Sequence, residues 1–456
     1  MKSIESIVKK QHLYFETNAT KSVTFRKEQL LRLKAAVLAH EADVLEALKN
    51  DLNKAPFEAF TTEIGIVISE LSYMIRHIDR FAKPKRVCAT LAQMPASCRI
   101  LPEPYGTVLI LSPWNYPFQL ALLPLIGAMA AGNCAIVKPS SKSTHTTTVI
   151  RRILESAFPP EYIDVVEGGR DAHAQLLEQK YDYIFFTGSI SAGKTVMAAA
   201  AKHLTPITLE LSGKSPCIVD ETANIPLAAR RIAWGKWLNA GQTCVAPDYV
   251  IAHRSIKAQL VDEILRYTRA FYGDRPHEGA ELPKIISRKH FDRLLTLIAS
   301  ESDCIGGAAN PATLQIEPAL LPSANWKSAA MQEEIFGPVL PVLTYDTLPE
   351  VIENIKARPK PLALYLFTNS PANKHRVLKE VSFGGGCIND TVMHLASSRL
   401  PFGGVGDSGI GRYHGKASFE TFSHMKSILT RGTFTDIPLR YPPYKNKLKL
   451  ARKVFR

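Results

Sequence analysis

The stretch YDYIFFTGSISAGKT, residues 181–195, sets an apolar, aromatic-rich run against a glycine-bounded loop and the first turn of a helical pattern. A buried strand that feeds a helix through glycines is the unit of a parallel sheet, because the helix carries the chain back across the sheet. The same stretch contains GSISAGKT (188–195), which matches the phosphate-loop pattern G-x-x-x-x-G-K-[ST]. The glycines and the helix start establish that backbone amides can face a phosphate or pyrophosphate, and leave its owner open.

Working outward, the unit repeats. Apolar strand candidates occur at GTVLIL (106–111), CAIVK (134–138), IDVVEG (163–168) and PITLEL (206–211), with helical stretches near 116–131, 143–157, 170–179 and 191–203. Repeated βα units with strands apolar on both faces predict an α/β fold with a mostly parallel sheet covered on both sides. Ligands of such sheets bind beyond the carboxyl ends of the strands. SPWNYP (112–117), KPSSKS (138–143), TGSISAG (187–193) and LELSGK (209–214) all fall there. The first eighty residues read as helices with core-facing stripes, among them Ile64, Val67, Leu71, Met74 and Ile78. Alternation resumes more loosely after 212, which predicts a second α/β unit through about 395.

The chain has 456 residues, 46% of them hydrophobic and 21% charged, the composition of a globular protein too long for one core. Its seven cysteines show neither CxxC nor regular spacing, and there is no HExxH. No metal site or disulfide framework is expected, and reduced thiols in a cytoplasm fit this usage. The most apolar window, 118–137, is interrupted by Gln119, Pro124, Gly127, Gly132 and Asn133, and reads as buried helix, turn and strand rather than a membrane span. Part of the +14 net charge lies in RYPPYKNKLKLARKVFR (440–456), which has seven Lys or Arg and no acid. That tail suits weak peripheral contact with an anionic membrane or, more simply, a solvated end; nucleic-acid binding is not expected.

Two chemistries compete for these motifs. CIVDE (217–221) resembles a strand ending in a magnesium-binding acid, which with GSISAGKT would make a nucleotide hydrolase. That strand begins at Pro216, a poor start for a central strand, and the hydrolase reading leaves Asn115 in SPWNYP, Glu210 in LELSGK, Cys244 in NAGQTC (239–244) and Glu334 in EEIFGP (333–338) without a role. A catalytic cysteine requires a thiolate in a partly exposed site. No histidine stands close to Cys244 in sequence, whereas an amide donor, a carboxylate and a dinucleotide-type fold suit oxidation of a carbonyl. The plainer alternatives are that Cys244 is an inert core thiol, Glu210 pairs with a lysine, and Asn115 caps a helix after Pro113.

Taken together, PWNYP, KPS, FTGSISAGK, LELSGKSP, GQTC, EEIFGP and PFGGVGDSGIGRYHGKASFETFSH (401–424) resemble the NAD(P)-dependent aldehyde dehydrogenases, and within them the class 3, fatty-aldehyde-type branch. The resemblance runs from about residue 5 to 430, and the 34-residue step from Glu210 to Cys244 agrees with it. It implies that Cys244 attacks the aldehyde carbon, that the Asn115 amide and the Cys244 N–H hold the oxyanion, and that hydride leaves for the nicotinamide. It also implies that Glu210 activates the water that hydrolyses the thioester. For the cofactor it implies Ser112, Trp114, Lys138, Ser140, Gly188, Ser189 and Gly193, with Glu334 on the nicotinamide ribose and Phe336 against the ring. Where NAD-preferring relatives carry a glutamate after KPS, this chain has Ser141 and then Lys142, so both NAD and NADP are expected.

The implied architecture is a Rossmann-like cofactor domain with a parallel sheet (1–82 and 103–211), a catalytic α/β domain (212–395), a small extended oligomerisation arm (83–102 and 396–440) and a basic tail (441–456). A homodimer acting on medium- or long-chain aliphatic or aromatic aldehydes is expected, with Tyr116, Thr243 and His394 as candidates for the aldehyde tunnel.

Overall fold

The computed structural model describes residues 3–454. Its first sheet has Thr107–Leu111 at the centre, flanked in parallel by Cys134–Lys138 and Tyr183–Thr187 and extended by Ile163–Val165 and Ile207–Glu210. The strands are buried on both faces with a period of two: Val108, Ile110, Val137 and Phe185 join one core, while Leu109, Leu111, Ile136 and Phe186 join another. The helices Gln119–Ala131, Thr144–Ala157 and Ile190–Ala201 lie between the strands in sequence, as the pattern predicts. Strand order reverses between Thr107–Leu111 and Tyr183–Thr187, so a ligand crevice opens beyond their carboxyl ends. SPWNYP and TGSISAG sit on its two lips.

The window 118–137 folds as helix Gln119–Ala131, a turn at Gly132 (φ +98°) and strand Cys134–Lys138. No helix among the described residues is long and apolar enough to cross a membrane.

A second sheet holds seven strands in the order Ile305–Gly306, Ala319–Leu321, Val339–Tyr345, Tyr249–His253, Pro216–Val219, Ala363–Phe367 and Gly385–Ile388, parallel except at the first. Pro216–Val219 pairs on both sides, against the expectation drawn from Pro216. As the first residue of the strand, the proline places its missing N–H where the ladder is only beginning. Asp220, the supposed magnesium ligand, is saturated instead by the Thr222, Thr368 and Asn373 side chains and the Thr222 N–H.

The segment 83–104, expected to be extended, holds two strands joined by a loop. Lys85–Val87, Ser97–Pro104 and Ser423–Thr430 form an antiparallel three-stranded sheet. Part of the stretch 396–440 packs on the first sheet and its helices rather than in this one. Gly409–Ile410 pairs with Ile207–Glu210 as the edge strand of the first sheet, and helix Gly415–Thr421 packs on Gln119–Ala131. Gly127 makes that packing possible, because a Cβ there would lie 2.7 Å from Ser418 Cβ and 3.0 Å from the Phe422 ring. The basic tail includes a short helix, Leu448–Val454, and its last two residues lie outside the described residues.

Gly127→Val is expected to lower unfolding stability by about 1–3 kcal/mol, the usual cost of overpacking a filled core. Chemical denaturation of the variant beside the parent, following Trp fluorescence, measures it; an unchanged midpoint would show that this helix contact is loose.

Candidate active site

Cys244 is delivered by a break in regular structure. After helix Ile225–Trp237 the residues Asn239, Ala240 and Gly241 take φ of 52°, 50° and 71° in succession. Left-handed residues that are not glycine persist only where neighbours hold them. Here the Gln242 side chain donates to Asn239 O (3.1 Å) and Lys284 O (3.0 Å) and accepts from Ile286 N (3.1 Å). The glycine of GQTC is required by contact, since a Cβ on Gly241 would lie 2.3 Å from Gly337 O. NAGQTC and EEIFGP are thereby fitted backbone to backbone.

A buried ion pair supports the opposite wall. Lys54 Nζ lies 2.6 Å from Glu63 Oε1, and both side chains are fully buried. Lys54 also donates to Asn115 O (3.2 Å) and sits 4.0 Å above the Tyr116 ring. Glu63 Oε2 accepts from Phe118 N and Gln119 N (3.1 and 2.9 Å), and so caps the helix Gln119–Ala131. Asn115 is therefore not the cap. Its Nδ2 donates to Gln242 O at 3.0 Å, while Tyr116 Oη and Thr243 Oγ1 meet at 2.6 Å. Neither Lys54 nor Glu63 was singled out from sequence, because nothing in a helical stripe marks a buried charge.

Two cavities meet at Cys244. One, of about 220 Å³, has a mainly apolar wall that includes Ile66, Leu120, Trp234, Val392 and Phe402, together with Tyr116, Thr243 and Met393. The other, of about 520 Å³, occupies the sheet crevice and is lined by Ser112, Trp114, Asn115, Ser140, Gly188, Ser189, Glu334 and Phe336. Cys244 and Glu210 border both. Both Glu210 carboxylate oxygens are buried without a hydrogen-bond partner among the described residues, so the lysine-pair alternative does not hold. Burial holds the Glu210 carboxyl well above the usual range. Glu334 is pushed up to about 8 by burial and by the charge of Asp248, opposed by a hydrogen bond from Ser212 and by Lys214 and Lys236. The Cys244 thiol is raised to about 12, first by burial and then by the Glu334 and Glu210 charges. The free cleft is electrostatically arranged against a resting thiolate.

The crevice fits a dinucleotide. Ser189 is the N-cap of helix Ile190–Ala201 and accepts from Ala192 N, so an anion placed there meets a helix N-terminus. A Cβ on Gly188 would lie 2.6 Å from the Phe186 ring, which keeps this lip bare backbone. Ser112 Oγ and Thr187 Oγ1 are buried on the wall with no partner among the described residues. Trp114 and Phe336 meet edge to face with centroids 5.4 Å apart, and Lys142 Nζ lies 5.6 Å from the Trp114 centroid.

Two expected cofactor residues do not line the crevice. Lys138 turns its ammonium onto Pro139 O (3.2 Å), and Gly193 instead admits the Leu211 side chain, 2.6 Å from where its Cβ would be. In the phosphate-loop match, Lys194 and Thr195 are exposed, with Thr195 Oγ1 donating to Ser191 O, so they serve the helix. Tyr116 and Thr243 line the apolar cavity as expected, whereas His394 faces Cys387 and Phe402 while its neighbours Met393 and Leu395 line the wall. His290 and Arg293, also on the crevice wall, come from helix Arg288–Ala299, which carries no motif.

The comparisons agree with this geometry. The aldehyde dehydrogenase family profile matches residues 1–428. The 4,4'-diaponeurosporen-aldehyde dehydrogenase of Staphylococcus aureus is 48% identical over 445 residues, 97% of either chain. Aldehyde dehydrogenase family 3 member B1 of Mus musculus is 44% identical, covering 98% of this chain and 96% of that one. The dimeric NADP-preferring aldehyde dehydrogenase of Canis lupus familiaris is 40% identical, covering 97% and 98%. The solved substrate-bound state of Staphylococcus aureus AldH superposes with a TM-score of 0.98 at 47% identity over 100% of both chains. The chain belongs to the aldehyde dehydrogenase family. Within it the chain falls in the class 3 branch, as an NAD(P)-dependent enzyme that oxidises aldehydes to carboxylic acids.

With its thiol raised to about 12, the cofactor-free enzyme should show Cys244 alkylation by iodoacetamide rising about tenfold per pH unit from neutrality to pH 10 with no plateau. Glu334→Gln removes a negative neighbour, lowers the thiol pKa and should speed alkylation at pH 9. Peptide mass spectrometry reads both, and an equal or slower rate in the variant would contradict this electrostatic account.

Proposed function

We propose that Cys244 is the nucleophile, Asn115 the side-chain donor to the oxyanion and Glu210 the general base of this aldehyde oxidation. The observation that carries the assignment is the meeting of an apolar cavity and a dinucleotide crevice at one thiol and one carboxylate. The Cys244 sulfur, once deprotonated, adds to the carbonyl carbon of an aldehyde lying in the apolar cavity. The carbonyl oxygen, turning negative, meets the Asn115 Nδ2 hydrogen not given to Gln242 and the Cys244 N–H; the amides of Cys244 and Val245 already face the sulfur. Bound NAD(P)+ supplies a hydride acceptor in the crevice. Loss of hydride leaves a thioester on Cys244, and Glu210 takes a proton from the water that hydrolyses it, releasing the acid and the thiol. Because a base acts unprotonated, burial of Glu210 moves the acid limb of deacylation above the ordinary carboxylate range.

Ser112, Trp114, Lys138, Ser140, Gly188, Ser189, Gly193, Glu334 and Phe336 form the proposed cofactor set. Ser189 and Gly188 serve the pyrophosphate, Glu334 and Phe336 the nicotinamide end, and Gly193 and Lys138 act from behind the wall. Acceptance of both NAD and NADP is supported by Ser141 and Lys142 and by similarity to the NADP-preferring relative. The mainly apolar wall favours medium- or long-chain aliphatic or aromatic aldehydes. A homodimer built through the three-stranded arm, a cytoplasmic location and weak membrane contact through the basic tail complete the reading.

Cys244→Ser should abolish aldehyde-dependent NAD(P)H formation, and Asn115→Ala should lower turnover by about 100- to 1,000-fold. Glu210→Gln should keep a single-turnover burst of NAD(P)H and then stall as an acylated enzyme, visible as a mass increase on Cys244. Full turnover in the serine variant, or an adduct on a different residue, would refute the assignment.

Parent enzyme should turn over with NADP+, and Lys142→Glu should depress kcat/KM for NADP+ far more than for NAD+. Equal effects on the two cofactors, read as absorbance of the reduced product, would remove Lys142 from the adenine end.

A further inference from the structure

Beside the apolar cavity lies a second one of about 380 Å³, whose wall includes Ser69, Tyr73, Arg76, Ser397 and Arg399. Ala396 belongs to the walls of both, so the two lie side by side. One helix links them. Thr62 and Ile66 border the apolar cavity and Ser69, Tyr73 and Arg76 the second one, at alternating steps of four and three along a single face leading into and along helix Gly65–Phe81. From Ile66 to Arg76 that face rises about 15 Å. The opposite wall follows the same course, from Val392 and Met393 through Ala396 to Arg399.

Charge in the second cavity has one sign. Arg76 and Arg399 are exposed, and neither guanidinium has an acidic partner among the described residues. Lys34 Nζ adds a further cation through its bond to Ser72 Oγ (2.9 Å). The nearby acids are engaged elsewhere: Glu70 accepts from Gly415 N and Ser398, and Asp79 pairs with Lys27. Two planar, uncommitted guanidiniums flanking hydroxyls form a receptor for a carboxylate or phosphate.

We propose that Arg76 and Arg399 bind the anionic far end of an amphiphilic aldehyde whose chain fills the apolar cavity and whose carbonyl reaches Cys244. The enzyme then discriminates among aldehydes of one chain length by the charge at the opposite terminus. The inference rests on the reading of the apolar cavity as the aldehyde site, and the neutral arm of the test checks that reading separately.

The experiment compares straight-chain ω-oxo carboxylates with alkanals of matching length, using the parent and Arg76→Gln/Arg399→Gln. In the parent, an ω-oxo acid long enough to span both cavities should exceed its matching alkanal in kcat/KM, with an advantage that shrinks as salt is added. The double variant should lose about tenfold or more for that acid, mainly through KM, because charge-assisted hydrogen bonds are lost. Its alkanal kinetics and melting temperature should stay at parental values. Equal treatment of the acid series by parent and variant would overturn the proposal, as would a parallel loss for both series. Anionic vesicles form a last arm. If they stimulate alkanal turnover through these arginines while ω-oxo acids gain nothing, the cavity reads a lipid surface and the proposal fails. Alkanals that are not substrates at all would instead sink the underlying assignment of the apolar cavity.

Discussion

The site depends on the buried contact between Lys54 and Glu63. Two charges taken fully out of water are costly unless every remaining bond is satisfied, and here they are: one carboxylate oxygen takes the ammonium, the other takes the first two amides of the helix Gln119–Ala131, and the ammonium also holds Asn115 O. Lys54 stands just past a helix end, Glu63 in the π-helical turn Phe60–Ile64, which a 3.6-residue periodicity does not mark, and SPWNYP at a strand end; the pair ties them at one point. The consequence reaches Cys244 through two threads, Asn115 Nδ2 to Gln242 O and Tyr116 Oη to Thr243 Oγ1. Asn115, the proposed oxyanion donor, serves only if it does not reorganise, and this pair fixes its backbone.

The resting electrostatics follow from the same dryness. Cys244 and Glu210, the proposed nucleophile and base, and Glu334 beside them are all pushed toward their neutral forms, chiefly by burial. A free thiolate is open to oxidation and stray alkylation, so the protonated Cys244 is the less vulnerable resting form. Positive charge entering the crevice reverses the balance, because it favours thiolate and carboxylate alike. Reactivity is then tied to occupancy of the crevice.

The sheet was legible because parallel strands are apolar on both faces and helices separate them, so each strand from GTVLIL to PITLEL stood out. Cys244, Glu210 and Asn115 stood out as motif residues beside plainer alternatives, of which the lysine pair and the helix cap do not hold. What stayed hidden depends on contacts between distant segments. Lys54 and Glu63 sit in ordinary helical sequence, and His290 and Arg293 reach the crevice from a helix without a motif. Pro216 misled because proline argues against a central strand everywhere except at its first residue. Nothing in PFGGVGDSGIG marks a strand, yet two of its residues add an edge to a sheet formed two hundred residues earlier.

The glycines of the motifs separate function from packing. Gly241, Gly188 and Gly193 would each bring a Cβ within 2.6 Å of another atom, yet the partners differ: Gly337 O, the Phe186 ring and a Leu211 methyl. The first joins the cysteine loop to EEIFGP and the second keeps a crevice lip bare. The third only lets a helix approach its sheet, which is why it lies off the crevice wall. A shared pattern such as GSISAGKT therefore mixes residues that meet a ligand with residues that let those meet it. Only the backbone around each glycine tells them apart, and the phosphate-loop resemblance arises because both kinds of crevice need the same strand-to-helix turn.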